Sequence, residues 1–70
     1  MSTEISTQHK KQIIENNILR LQQEEFDLAI RKDVYKEVGL DDKLEEVAEA
    51  LIKTRKLQKS YEGKLKELKG

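Results

Sequence analysis

Acidic side chains are the most frequent groups in this chain that could do acid–base chemistry. Six of the 14 acidic residues form two clusters, Glu24, Glu25 and Asp27 in one and Glu45, Glu46 and Glu49 in the other. Paired carboxylates catalyse glycoside hydrolysis only where a cleft holds them at a defined separation. Two long helices offer no such cleft, and the sequence has no Gly-rich phosphate loop and no HExxH motif. We therefore predict that the protein is not an enzyme.

Metal and cofactor sites are not expected either. The chain has no Cys and a single His, His9, whereas structural zinc sites need several Cys or His ligands. His9 stands beside Lys10 and Lys11, a basic pair that we expect to lie in solvent. The predicted set of catalytic, metal and cofactor-binding residues is empty.

A basic segment, residues 53–70, is the candidate for nucleic-acid contact. It carries seven Lys or Arg against Glu62 and Glu67, and Lys and Arg supply most non-specific contacts to phosphate. Tyr61 could stack on a base. The candidate contact residues are Lys53, Arg55, Lys56, Lys59 and Lys64. Because the chain as a whole is neutral, a nucleic-acid-binding hairpin is the alternative and not the preferred function.

Composition indicates one small helical domain. Of 70 residues, 40% are charged and 36% apolar, and none is Pro. A core of this size contributes no more than about 3–5 kcal/mol, so regular helix packing or oligomerisation must supply stability. No apolar run approaches the ~18 residues of a membrane span, and the N-terminus lacks the apolar stretch of a signal peptide. The expected location is the cytoplasm.

The first predicted helix covers residues 7–38, after a frayed segment at residues 1–6. With ~100° per residue, one face carries an inner set of apolar side chains: Ile14, Ile18, Leu21, Leu28 and Tyr35. A second set lies on nearly the opposite side, and we call it the outer stripe: Leu19, Phe26, Ile30, Val34 and Val38. A helix with two apolar faces needs cover on both sides. The outer stripe is therefore predicted to contact a partner, and Leu19, Phe26, Ile30 and Val34 are the candidate residues.

The second predicted helix covers residues 42–69 and carries a heptad pattern. Its apolar positions step alternately by three and four residues, as in a coiled coil, and we call them the seam: Leu44, Val47, Leu51, Thr54, Gln58, Tyr61, Leu65 and Leu68. Two adjacent seam residues, Thr54 and Gln58, are polar. Polar residues in a seam can set the register and the number of helices that associate. Fraying of the helix around Thr54 and Gln58 is an equally good interpretation of the same residues. The pattern does not decide whether the seam packs on the first helix or on a second copy.

The turn is predicted at residues 39–41. Gly39 can adopt the left-handed conformation that ends a helix, with Leu40 packing back on Tyr35 as in a Schellman motif. Asp42 with Glu45 resembles a capping box that starts the second helix. Stop and start signals this close together predict two antiparallel neighbours, an αα-hairpin.

Charge divides the second helix into two halves. Residues 41–52 carry five acids against one Lys, and residues 53–70 carry seven bases against two acids, whereas residues 1–40 mix six bases with seven acids. A second copy of this helix running antiparallel sets acid against base at both ends. The split therefore predicts a homo-oligomer with an antiparallel contact through the second helix.

The turn and the helix after it resemble a known family. Residues 34–54, VYKEVGLDDKLEEVAEALIKT, resemble part of the small tail-fibre assembly chaperones of T-even-type bacteriophages. The matching positions are Val38, Gly39 and Leu40 at the turn, then Glu46, Val47, Glu49 and Ala50. The resemblance covers under a third of the chain and implies a small, oligomeric, mostly helical folding helper. In that case the protein would work in the cytoplasm of the phage's host.

These observations lead to one expected architecture. The chain is predicted to be all-α, a two-helix antiparallel hairpin that self-associates into a dimer or small helical bundle. Its expected function is protein–protein interaction, as a phage-encoded accessory protein, an assembly chaperone or a scaffold. Another protein is the expected partner beside a second copy, and nucleic acid and membrane are not.

Overall fold

The computed structural model describes residues 6–69 and contains two helices, α1 (Thr7–Val38) and α2 (Asp41–Lys69). They fold back on each other as a hairpin with extents of 57 × 19 × 15 Å, which confirms the predicted pair of packed helices. Ser6 is the helix cap of α1, while the rest of the N-terminal segment that was predicted to be frayed, residues 1–5, lies outside the described residues.

A serine cap sets the start of α1. Ser6 has an extended backbone, and its hydroxyl oxygen accepts a hydrogen bond of 3.1 Å from the backbone N–H of His9. The Ser6 carbonyl accepts the first helical bond, from Lys10 at 2.9 Å. The side chain thus satisfies one of the N–H groups that the first helical turn leaves without a partner.

Gly39 ends α1 in the left-handed conformation, with φ 82°. The N–H groups of Gly39 and Leu40 both donate to the carbonyl of Tyr35, each at 2.9 Å. The bond from Leu40 is the six-to-one bond of a Schellman motif. Leu40 stays 45% exposed, so it covers Tyr35 less than the motif predicts.

The predicted start of α2 at Asp42 was wrong by one residue. The helix begins at Asp41, and the Leu40 carbonyl accepts its first hydrogen bond from the N–H of Leu44 at 2.9 Å. Asp42 therefore lies inside the first turn and does not act as the cap of a capping box. Asp41 and Asp42 instead stabilise the helix through its dipole, whose positive end they face.

The hydrophobic core is a thin layer between the helices. Four apolar side chains are buried: Leu21, Leu28, Val47 and Leu51. Tyr35 and Ala50 pack against the cluster formed by Leu28, Val47 and Leu51. No side chain of the described part of the chain is fully enclosed, as expected where only two helices cover one another.

Substitution by Ala should change the free energy of unfolding in opposite directions at Gly39, between the helices, and at Gly63, within α2. Gly39→Ala is expected to lower the free energy of unfolding by about 1 kcal/mol, because the left-handed conformation disfavours a Cβ atom. Gly63→Ala is expected to raise it by about 0.5–1 kcal/mol, because Gly63 is helical and open space surrounds the added methyl group. Urea titrations followed by circular dichroism measure both. Shifts of the same sign would contradict the left-handed turn.

Candidate interaction surface

The seam of α2 lies in the interface between the two helices of one chain. Val47, Leu51 and Thr54 are buried there, and the other five seam residues are half-buried. The hairpin therefore answers the question that the heptad pattern left open, since α1 covers the seam. A two-residue connection keeps α1 close to α2, so α1 competes for the seam at a high local concentration.

A polar layer crosses the hairpin near the middle of the seam. The side-chain amide of Gln58 donates to Oε1 of Glu25 at 2.8 Å, and Nε of Arg55 donates to Oε2 of the same carboxylate at 2.9 Å. Thr54 is buried one turn from Gln58. Within the part of the chain that is described, no buried side-chain nitrogen or oxygen lacks a partner. The polar seam residue Gln58 thus pairs across the hairpin, with Glu25 of α1.

Glu25 is the residue that the sequence analysis did not identify. It was assigned to an acidic cluster, although its spacing from Leu21 and Leu28 continues the inner face of α1. Hydrogen bonds from Arg55 and then Gln58 lower the pKa of Glu25 below its ordinary value of 4.5, against a smaller opposing effect of desolvation. The heptad spacing of Leu21, Glu25 and Leu28 was the signal that could have revealed this role.

The outer stripe of α1 is exposed over its whole length. Leu19 is 54% exposed, Phe26 75%, Ile30 58%, Val34 46% and Val38 66%. At ~100° per residue, Leu19, Phe26 and Ile30 lie on the side of α1 opposite Leu21 and Leu28, whereas Val34 and Val38 lie progressively nearer to α2. Beside Phe26 a shallow groove runs between the helices, lined by Gln22, Glu25, Ala29 and Arg55. The structure thus leaves the predicted contact face of α1 uncovered.

The basic residues of α2 lie on its solvent-facing side. Lys53, Arg55, Lys56, Lys59 and Lys64 are all exposed, and at ~100° per residue they fall within the half of the helix circumference that lies away from the seam. Arg55 is engaged by Glu25, and Lys64 lies 3.8 Å from Glu67. Tyr61 is half-buried in the seam and is not presented for stacking on a base. The solvent-facing side of α2 is thus basic, and Glu67 interrupts it.

The acidic clusters are likewise spread over the surface. Apart from Glu25, their members are exposed, and Asp27 pairs with Arg31 of its own helix at 3.1 Å. Among residues 6–69 no three acidic or His side chains come together in a way that could hold a metal ion. Neither of the two described helices is long and apolar enough to cross a membrane.

Comparison of the chain with models of protein families, with curated proteins and with solved structures finds no match.

Proposed function

We propose that this chain is a non-enzymatic protein–protein interaction module that binds other protein chains, a second copy included, through the outer stripe of α1. The observation that supports this most directly is the exposure of five large apolar side chains along α1, three of which, Leu19, Phe26 and Ile30, share the side opposite its buried residues. Scattered exposed apolar residues are ordinary on a soluble protein, but a contiguous row is typical of an interaction site.

Burial of the outer stripe can supply enough free energy for association. Covering a side chain such as Phe, Leu or Ile contributes roughly 1.5–3 kcal/mol relative to leaving it in water. Phe26, the most exposed of the five, stands at the middle of the row, where interface energy is usually concentrated. The rigid helix presents these side chains with little loss of backbone entropy on binding.

The proposed biological role is that of a small accessory protein, such as an assembly chaperone or a scaffold. The resemblance of residues 34–54 to phage tail-fibre assembly chaperones supports this role, together with the small size and helical build of the chain. Under this proposal the protein works in the cytoplasm of a phage's host. Its partner is another protein with an apolar surface that can take up a helix.

The two charged halves of α2 provide a further possible contact between copies. Glu45, Glu49 and Lys56 are all exposed on the side of α2 away from α1. An antiparallel mate on that side would set Glu49 of one copy against Lys56 of the other. Exposed ion pairs contribute only ~0–1 kcal/mol each, so this contact can orient two copies but cannot hold them without apolar burial elsewhere.

The proposal is tested by measuring protein capture and nucleic-acid binding with matched variants. One variant, Ile30→Asp/Val34→Asp, places charge in the outer stripe. The other, Lys56→Glu/Lys59→Glu, reverses two exposed charges of the basic segment. Each is immobilised and exposed to a nuclease-treated lysate of the source cells, and each is titrated with labelled single-stranded and duplex DNA and RNA.

We expect the outer-stripe variant to lose the proteins that the wild-type chain retains, and the basic-segment variant to keep them. We also expect no binding of the nucleic-acid probes at micromolar concentration and 150 mM salt. Probe binding that only the Lys variant loses, with protein capture equal for all three chains, would replace the proposed function by the nucleic-acid alternative.

A further inference from the structure

We infer that the polar layer, Glu25 of α1 with Arg55 and Gln58 of α2, limits the packed faces of this hairpin to two helices. The layer keeps a third helix out of the contact between α1 and α2, and it does so at a cost in stability. This inference concerns the inner face of α1 and the seam of α2. It therefore does not depend on what the outer stripe binds.

Apolar burial by itself favours a larger bundle. The core between the two helices is thin, and five of the eight seam residues remain half-buried. On the flank where the polar layer meets solvent, Phe26 and Ala29 line a shallow groove between the helices. A third helix laid in this groove would remove further apolar surface from water, which is the main force that assembles helices into bundles.

The charges of the polar layer reach solvent along this groove. Glu25 and Arg55 line it beside Phe26, and their side chains are 32% and 60% exposed. Nε of Arg55 lies 2.9 Å from Oε2 of Glu25, and the amide of Gln58 donates to Oε1 at 2.8 Å. A third helix over the groove would take this ion pair out of water. The desolvation of a buried pair can exceed the attraction between its charges, so the layer opposes that packing.

The position and the charge of the layer both serve this role. Glu25 lies near the middle of α1, and Arg55 and Gln58 lie near the middle of α2, so a helix long enough to fill the groove must cross them. Hydrogen bonds from Arg55 and then Gln58 hold the pKa of Glu25 below its ordinary value of 4.5, so the carboxylate is charged at neutral pH. Polar residues in a helical seam set the number of helices in this way, and they lower the stability of the assembly that they select.

Replacing the layer by apolar side chains tests the inference. The layer variant is Glu25→Leu/Gln58→Leu, which leaves Arg55 free to extend into solvent. The swap variant, Glu25→Gln/Gln58→Glu, keeps one carboxylate and one amide and exchanges the helices that carry them. The matched control, Glu45→Leu/Lys66→Leu, adds two Leu at exposed positions of α2.

The parent chain and the three variants all carry Ile30→Asp/Val34→Asp, so that association through the outer stripe does not contribute. Sedimentation equilibrium measures the mass of each, and urea titration measures its stability. We expect the layer variant to unfold at a higher urea concentration than the parent and to sediment with at least about twice its mass, because an uninterrupted apolar groove accepts further helices. We expect the swap variant and the control to keep the mass of the parent.

A layer variant with the mass of the parent would overturn the inference, and so would one that unfolds at a lower urea concentration. An equal gain in mass by the swap variant or the control would also overturn it, because the effect would then not depend on a polar layer between the helices. Capture of lysate proteins judges the proposed function separately, since it reports on the outer stripe and not on the layer.

Discussion

Leu51→Ala is expected to leave most of the chain unfolded at 25 °C. Leu51 is 5% exposed and packs with Leu28 and Val47 in the one buried cluster of the described chain. Truncating a buried Leu costs about 2–5 kcal/mol, since the lost transfer energy is joined by the cost of the cavity. A single core of this size supplies no more than about 3–5 kcal/mol in total. The substitution thus removes a large part of the stability of the hairpin.

The matched control is Leu57→Ala, the same chemical change on the same helix. Leu57 is 50% exposed, so its truncation is expected to shift the free energy of unfolding by less than about 0.5 kcal/mol. Helix content by circular dichroism and the urea midpoint measure both variants at one protein concentration. Equal losses for Leu51→Ala and Leu57→Ala would mean that the core lies elsewhere than between Leu28, Val47 and Leu51.

Phe26→Asp is expected to abolish self-association while the hairpin stays folded. In a two-fold dimer each substitution acts twice, and uncovering one Phe costs roughly 1.5–3 kcal/mol. The dimer should therefore weaken by at least about 3 kcal/mol, which is more than 100-fold in Kd. Because Phe26 is 75% exposed in the single chain, its loss removes little of the core within the hairpin.

Sedimentation equilibrium at several concentrations measures the mass of wild type and variant. Leu57→Asp is the control, since it places the same carboxylate at an exposed apolar position of α2 outside the outer stripe. We expect it to leave the mass unchanged. A wild-type mass that Phe26→Asp does not alter, or one that both variants reduce equally, would show that the outer stripe does not join the copies.

Local signals in the sequence determined where the helices begin and end. Ser6 caps α1 because its hydroxyl oxygen accepts a hydrogen bond from an N–H group of the first helical turn, and Gly39 ends α1 because a residue without a Cβ atom adopts the left-handed conformation. Both effects involve only residues within four or five positions of each other in the sequence. Periodicity likewise separated the two apolar faces of α1, because helix geometry alone sets which side chains share a face. The predicted start of α2 was one residue too late, because Asp41 and Asp42 both suit a first helical turn and the neighbouring sequence did not distinguish them.

Only the tertiary structure decided what each face contacts. Glu25 accepts hydrogen bonds from Arg55 and Gln58, which are 30 and 33 positions away in the chain. No local pattern sets that register, because it depends on how the whole of α1 lies along α2. The same packing buried the seam of α2 within the hairpin and left the outer stripe of α1 exposed. A heptad pattern shows that a helix packs against another helix but does not identify that helix. Here it is α1, because the short connection at Gly39 and Leu40 holds the two helices side by side.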